Sequence, residues 1–447
     1  METGSSPTSL PRAKRAKVAA AAAAASAVEW YDYFVFGIAA ALIFSKQFYP
    51  SVSPVAGVLA SFATFAVGFL ARPLGGILAG TLGDKHGRKP MLVVSLTVMG
   101  ASTALIGMLP PYSALGLGAP LLLVVLRVLQ GVAVGAQWGG AMLLATEYAP
   151  PGKRGVYGSV VQLGVPISLV IANCLFLVTS GSMSKADFAL WGWRVPFLLG
   201  GLILLLAWYI HRHVEETPEF RQAEAQLVAD DARRKSPLGQ ILRQHSGTVL
   251  LAAGSFIVNH ATFYIGITGV LDYTTRDLGM PRSTVLTIVL IGSVLQLGII
   301  PLSARISDRV GRIPVYTLGI VGLLIWAVPM FLLIDTRSVP AIVVALFTSS
   351  TFLSIMYGPQ AALFAELFDA EVRYTGASLG YQISGVLGGG LAPLFMVLLL
   401  ETTHTSMSVS AYMMVLAVIG LLSIWLLARR ARNRAGAADE APAGAAE

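Results

Sequence analysis

The sequence predicts an all-α polytopic membrane protein with twelve transmembrane helices in two pseudo-symmetric six-helix halves. The 447-residue chain is 55% hydrophobic and 12% charged, with a mean hydropathy of +0.72. Soluble proteins carry about 25% charged residues, so this composition excludes an ordinary soluble domain. The single cysteine, Cys174, excludes an intrachain disulfide and a cysteine-based metal site.

Twelve segments are long and apolar enough to cross a bilayer, which takes about 20 residues. Their expected bounds are 22–45, 55–82, 90–109, 120–147, 156–179, 194–211, 248–270, 284–303, 314–334, 340–366, 375–400 and 409–428. A polar cytoplasmic linker, 212–247, separates the halves 22–211 and 248–428. Residues 1–21 are expected to form a disordered cytoplasmic N-terminal tail, and 429–447 a cytoplasmic C-terminal tail.

The basic residues predict the orientation of these spans. If the N-terminus is inside, 23 of the 31 lysines and arginines fall on the cytoplasmic side and six on the opposite side. Cytoplasmic loops of membrane proteins carry this excess, so both termini are expected in the cytoplasm. Since topology accounts for the net charge of +8, we expect a lipid bilayer and no nucleic acid as partner.

Two charged motifs recur at nearly the same spacing. The loop "GDKHGRKP" (83–90) returns as "SDRVGRIP" (307–314), with Asp, Gly, Arg and Pro repeated at an offset of 224. A glutamate and an arginine near the ends of the fourth and tenth spans recur at an offset of 219. Matching offsets of independent motifs indicate two homologous halves. The charged residues of these motifs are Asp84, Arg88, Asp308, Arg312, Glu147, Arg154, Glu366 and Arg373.

These loops resemble the duplicated signature of the major facilitator superfamily. The stretches "EWYDYFVFG", "RVLQGVAVGAQWGGA" and "ELFDAEVRYTG" are similar to the metabolite:proton symporter family, whose members transport shikimate, 2-oxoglutarate, dicarboxylates, proline or betaine. The resemblance covers about residues 26–430. It implies a cofactor-free, metal-free monomer of the bacterial inner membrane that imports a small organic acid or zwitterionic metabolite with protons. It also implies that the charged motifs form gating networks that latch the halves together.

Charged residues within the spans are the candidate coupling groups, because ionisable groups at membrane depth mark ion or substrate paths. Counting about 1.5 Å per residue from the inner ends places Asp32, Arg72 and Gln137 near the midplane, with Arg127 ten residues further out. Asp32 is expected to carry the proton, and Glu29, one turn away, is the second candidate. The alternative is a purely structural ion pair between Asp32 and Arg72.

Arginines and polar groups in the spans are expected to bind the substrate. Arg72 and Arg127 favour an organic anion, although Arg127 could instead pair only with an acid or a helix carbonyl. Gln137 departs from the family, in which a glutamate is common, and this puts coupling through that position in doubt. The other candidates are polar or aromatic groups able to orient a small ligand; they are Gln162, Asn259, His260, Tyr264, Tyr381 and Gln382.

Other classes of protein remain as alternatives. The chain has no GxxxxGK[ST] loop and no HExxH motif, so neither an ATP-driven pump nor an intramembrane metalloprotease is expected. An antiporter or a uniporter of a related metabolite stays open, especially because of Gln137. A non-transporting sensor on the same fold is the competitor from another class.

Overall fold

The computed structural model describes residues 12–86, 88–135, 146, 149–150, 152–213, 244–368 and 373–439, and all regular structure there is helical. Ten helices are long and apolar enough to cross a membrane, and two apolar helices are shorter. In chain order these twelve segments are α1 (Ser26–Phe48), α2 (Pro54–Gly76), α3 (Val93–Met108), α4 (Gly118–Val134), α5 (Arg154–Ser182), α6 (Lys185–Leu205), α7 (Ser246–Arg276), α8 (Arg282–Val310), α9 (Arg312–Asp335), α10 (Val339–Glu366), α11 (Thr375–Thr403) and α12 (Met407–Arg430).

The twelve segments match the predicted spans one for one, which confirms the predicted fold class. Their helical ends differ from the predicted bounds. The helix of α1 begins at Arg12, that of α2 runs to His86, and that of α12 runs to Asp439. Helical structure therefore extends beyond the apolar windows, because a hydropathy pattern marks contact with lipid rather than the end of a helix.

The two halves repeat a local distortion as well as a charged loop. A π-helical turn interrupts α1 at Ala40–Phe44 and α7 at Ile265–Gly269, a displacement of 225 residues. This displacement agrees with the offset of 224 between the repeated loops. Isolated π-helical turns are frequent at functional sites, and the one in α7 directly follows Tyr264.

The halves contact each other at both ends of the bundle and in the middle. We call the end that carries the turn at Gly311 the inner end, and the opposite end the outer end. At the inner end, Asp308 of α8 meets the first turn of α5. Near the middle, the rings of Phe69 and Tyr264 lie 5.3 Å apart. At the outer end, the Arg282 guanidinium lies 4.0 Å from the ring centroid of Phe188.

Candidate functional site

A buried polar network surrounds Asp32 of α1, whose side chain has no exposed surface. Its Oδ1 accepts hydrogen bonds from Thr103 Oγ1 and Gln130 Nε2, each at 2.5 Å. Its Oδ2 lies 3.3 Å from Nη1 of Arg127, which is also fully buried. Three donors on α3 and α4 therefore hold one carboxylate inside the N-terminal half.

The structure places Arg127, not Arg72, beside Asp32. The estimate that Arg127 lies well outside the depth of Asp32 is wrong. That estimate measured depth from the ends of the apolar stretches, whereas the helix of α1 begins at Arg12 and not at residue 22. A long arginine side chain also reaches several ångströms along the helix axis, which a count of backbone rise ignores.

Gln130 and Thr103 belong to this network although the sequence did not single them out. Gln130 donates to Asp32 and accepts from Arg127 Nη1 at 3.2 Å, so it contacts both members of the ion pair. Its signal in the sequence was its position three residues after Arg127, on the same helix face. Thr103 had no comparable signal, because only the packing of α3 against α1 brings it to Asp32.

Arg72 of α2 forms a second buried centre around Tyr33. Arg72 Nε donates to the Tyr33 hydroxyl at 3.0 Å, and its guanidinium carbon lies 3.9 Å from the centroid of the Tyr33 ring. The same ring lies 4.1 Å from the guanidinium carbon of Arg127. Arg72 also lies 5.2 Å from the ring of Trp30. One phenol ring thus contacts both Arg72 and Arg127.

Glu29 is buried on α1, with a relative exposure of 5%. It makes no ion pair with any residue that the structure describes. Its neighbour in the chain, Trp30, lies 5.2 Å from the guanidinium carbon of Arg72. Glu29 is therefore associated with the Arg72 centre, and Asp32 with Arg127.

A cavity lies between the halves, next to the Arg72 centre. Both halves contribute walls, since Trp30 of α1 and Val165 of α5 face residues of α7, α8, α10 and α11. Four predicted binding residues line it, namely Asn259, His260, Tyr264 and Tyr381. Lining residues that the sequence analysis missed include Trp30, Gln296, Ser354 and Tyr357.

Three buried polar atoms of the cavity walls have no hydrogen-bond partner among the described residues. They are Trp30 Nε1, His260 Nε2 and Tyr264 Oη. Buried polar groups are almost always paired, so unpaired ones beside a cavity indicate a place for water or a polar ligand. Behind the Trp30 wall, Arg72 Nη2 also has no partner among the described residues, and the guanidinium carbon of Arg72 lies 5.2 Å from the Trp30 ring.

Other contacts fix the cavity walls in place. Asn259 Nδ2 donates to the Leu353 carbonyl at 3.1 Å, and His260 Nδ1 lies 3.0 Å from Ser384 Oγ. The His260 ring packs against Tyr381 with centroids 4.8 Å apart. One ring nitrogen of His260 therefore lies within hydrogen-bond distance of Ser384 in α11, and the other has no partner among the described residues. His260 is thus more than a packing residue, because the second nitrogen can still form a hydrogen bond.

Four predicted binding residues do not line this cavity, namely Arg72, Arg127, Gln162 and Gln382. Arg127 pairs with Asp32 instead. Gln162 of α5 donates to Gln360 of α10 at 2.5 Å, a contact between the halves. Gln382 is buried, and its Oε1 has no partner among the described residues. Gln137 lies outside the described residues. A second cavity lies on the outer side of the first and shares Phe263, Gln296 and Leu353 with it.

The inner end holds a contact between the halves that involves a predicted gating residue. Asp308 Oδ1 accepts from the backbone N–H of Gly155 at 2.9 Å, and Oδ2 accepts from that of Val156 at 3.0 Å. The carboxylate thereby binds the N-terminal turn of α5, where the backbone carries a partial positive charge. A Cβ at Gly155 would lie 2.5 Å from Arg312 Nη1 and 2.9 Å from the Ala304 carbonyl oxygen, so this approach requires glycine.

The rest of the C-terminal motif surrounds this contact. Arg312 binds Asp308 at 2.5 Å and Glu366 at 3.4 Å. Gly311 has φ of 99°, as expected for a tight turn at this glycine. Arg373 donates to the Phe368 carbonyl at 3.2 Å, and Arg154 begins the helix of α5. The matching side chains of the N-terminal half, Asp84, Arg88 and Glu147, lie outside the described part of the chain.

The outer end carries its own charge cluster around Arg276. This arginine lies 3.3 Å from Asp272, 3.1 Å from Asp277 and 2.8 Å from Glu401. Burial raises the pKa of Asp277, although Arg276 opposes the shift. Because α7 and α11 are thereby joined at their outer ends, the cluster belongs to the C-terminal half rather than to the interface between halves.

These features define a polytopic membrane transporter, in which two helical halves enclose a central cavity and touch at both ends. The sequence profile of the Major Facilitator Superfamily matches residues 22–393. The chain belongs to that superfamily and is a transporter rather than an enzyme.

Curated relatives share most of the chain. The shikimate transporter of Escherichia coli K12 is 40% identical over 367 residues, covering 82% of this chain and 83% of its own. The proline/betaine transporter of the same strain is 32% identical over 401 residues, covering 89% and 80%. Among solved structures, the xylose transporter XylE from E. coli, in a partially occluded inward-open conformation, has a TM-score of 0.71 at 15% identity. That match covers 93% of this chain and 99% of the other.

Proposed function

We propose that this protein imports a small organic acid or zwitterionic metabolite together with protons, by alternating access of its central cavity. The observation that carries the proposal is the ion pair of Asp32 and Arg127, both with no exposed surface inside the membrane bundle. Buried ion pairs add little net stability, because desolvation offsets their attraction. An acid kept at this depth is therefore better explained by proton transfer than by stability.

The cavity supports a substrate with a carboxylate and other polar groups. Arg72 Nη2 has no described partner, and the guanidinium lies next to the wall residue Trp30, so a small shift of this side chain would let it donate to a carboxylate in the cavity. His260 Nε2 and Tyr264 Oη can bind hydroxyls. Aromatic walls such as Trp30 and Tyr357 also suit a quaternary ammonium group, so a betaine-like zwitterion belongs to the same proposal.

The relatives support both substrate types. The shikimate transporter carries an organic acid, and the proline/betaine transporter carries zwitterions, by their names. We expect the protein to act as a monomer in the bacterial inner membrane with both termini in the cytoplasm, as the distribution of basic residues indicates. The inner end then faces the cytoplasm, and Asp308 is part of the cytoplasmic gate.

The test is uptake by the purified protein in liposomes. A panel of shikimate, a dicarboxylate, citrate, proline and betaine is offered with and without an inward proton gradient. We expect the gradient to drive accumulation of at least one of these compounds. Equal uptake with and without the proton gradient would indicate a uniporter. No uptake of any compound, beside an active control transporter, would refute the substrate class.

A further inference from the structure

We infer that Tyr33 is the positioning residue that couples the substrate cavity to the proton-binding pair, a role that rests on the proposed function. Its ring contacts the guanidinium groups of Arg72 and Arg127, with centroid distances of 3.9 and 4.1 Å. Arg72 lies behind the wall of the central cavity, with its guanidinium carbon 5.2 Å from the ring of the wall residue Trp30, and Arg127 is paired with Asp32. Among the described residues, Tyr33 is thus the side chain whose ring contacts the guanidinium groups of both centres.

The position of Tyr33 is fixed by hydrogen bonds to α2. Its hydroxyl accepts from Arg72 Nε at 3.0 Å and lies 3.2 Å from the Gly68 carbonyl, to which it donates. Gly68 also leaves room for the second arginine, since a Cβ there would lie 2.5 Å from Arg127 Nε. The backbone of α2 therefore holds the ring against both guanidinium groups.

Each arginine keeps buried donors that no described residue satisfies. These are Nη2 of Arg72, and Nε and Nη2 of Arg127. An aromatic ring offers a limited negative potential, and the two cations share it. If an anionic substrate draws Arg72 toward the cavity, the ring can hold Arg127 more strongly, and the pull of Arg127 on Asp32 weakens.

This redistribution of contacts around the Tyr33 ring determines whether substrate binding favours or opposes proton binding. A weaker pull from Arg127 favours proton uptake by Asp32, so substrate binding promotes proton binding. By linkage, protonation of Asp32 must promote substrate binding by the same factor. Binding of the two together is what symport requires, and Tyr33 is the contact through which each event affects the other.

The test compares gradient-driven accumulation of radiolabelled shikimate with its counterflow, an exchange that needs no net proton movement. Tyr33→Leu removes the ring, and Tyr33→Phe keeps the ring but removes both hydroxyl contacts. We expect the ratio of accumulation to counterflow to fall by roughly tenfold or more in Tyr33→Leu and by about threefold in Tyr33→Phe. The control is Phe62→Leu, which removes a fully buried α2 ring outside these cation–ring contacts and should keep the wild-type ratio.

A second readout is the pH dependence of shikimate binding to the purified protein. Wild type should bind more tightly as the pH falls, and this dependence should flatten in Tyr33→Leu. A wild-type ratio and pH dependence in Tyr33→Leu would overturn the inference, as would equal losses in Phe62→Leu. If Tyr33→Leu yields no folded protein, an unchanged ratio in Tyr33→Phe overturns it. Failure of wild type to take up any compound of the panel would instead refute the proposed function itself.

Discussion

Asp32 and Arg127 form an ion pair in which Oδ2 and Nη1 are 3.3 Å apart and neither side chain is exposed. Gln130 completes a triangle, since it donates to the carboxylate and accepts from the guanidinium. The pair joins α1 to α4 within the N-terminal half and lies one ring away from Arg72. A change in the charge of Asp32 can therefore alter the electrostatic environment of Arg72 and the adjacent cavity without any large movement of the backbone.

The pair predicts a strong non-additive effect on stability. Arg127→Met leaves the Asp32 carboxylate buried without its counter-charge, and removing one partner of a buried pair costs about 3–5 kcal/mol. The double variant Asp32→Asn with Arg127→Met should recover most of this loss, because no buried charge remains unpaired. Thermal unfolding in detergent measures all four proteins of the cycle. Additive effects of the two substitutions would show that the residues do not interact.

Gln130 predicts a shift in the pH profile of uptake. Gln130→Leu removes a donor to the Asp32 carboxylate, and hydrogen bonds to charged groups are worth about 1.5–3 kcal/mol. The ionised acid is then less favoured, so the profile should move to higher pH by about one to two units. Asn173→Leu is the control, because it removes a buried amide of α5 whose hydrogen bond, among the described residues, goes to Leu169 of its own helix. A profile that does not move in Gln130→Leu would contradict the assigned role.

The two acids of α1 predict different phenotypes. Asp32 has three partners, Thr103, Gln130 and Arg127, whereas Glu29 has no ion pair in the described structure. We expect Asp32→Asn to lose gradient-driven accumulation and keep counterflow. We expect Glu29→Gln to keep both accumulation and counterflow, with a changed affinity for the substrate because Glu29 lies near Arg72. The reverse pattern would assign the proton to Glu29.

The contact of Asp308 with α5 predicts that this residue holds the inner end closed. Asp308→Asn removes the charge at the helix N-terminus and weakens the bond to Arg312, effects worth about 1–2 kcal/mol together. Opening of the inner end should therefore increase by about 5- to 30-fold. The readout is the rate at which a cysteine introduced at the buried Ser159 reacts with a maleimide, in a Cys174→Ser background.

Arg309→Gln is the control for this experiment, because it removes an exposed charge next to Asp308 that forms no ion pair in the described structure. Its labelling rate should equal that of the parent. If Asp308→Asn also leaves the rate unchanged, the Asp308 contact does not hold the inner end closed.

The fold and the depth of the charges were predictable from the sequence to different degrees. Hydropathy and the repeated loops predicted twelve spans in two halves, because both signals are local. The partner of Asp32 was not predictable in this way. It depends on how α1, α3 and α4 pack, and on how far the Arg127 side chain reaches, and neither is encoded in spacing along one helix.

The residues that line the cavity were likewise only partly predictable from the sequence. The positions of Asn259, His260, Tyr264 and Tyr381 in the cavity lining were predictable, because polar and aromatic groups within apolar helices are conspicuous. Trp30 and Tyr357 were not, since an aromatic residue in a membrane helix usually packs against lipid or its neighbours. The same argument predicts that Gln162 lines the cavity, but Gln162 instead donates a hydrogen bond to Gln360 across the interface between the halves.

The central claim is that a proton enters with the substrate through Asp32. The most direct test measures the external pH of a lightly buffered suspension of proteoliposomes after substrate is added. The substrate is shikimate, or another compound of the panel if that one is taken up instead. The account predicts that the medium becomes more alkaline in wild type and that this change is absent in Asp32→Asn, while counterflow of the same compound persists in both. Uptake by wild type without any proton movement, or an equal pH change in Asp32→Asn, would contradict it.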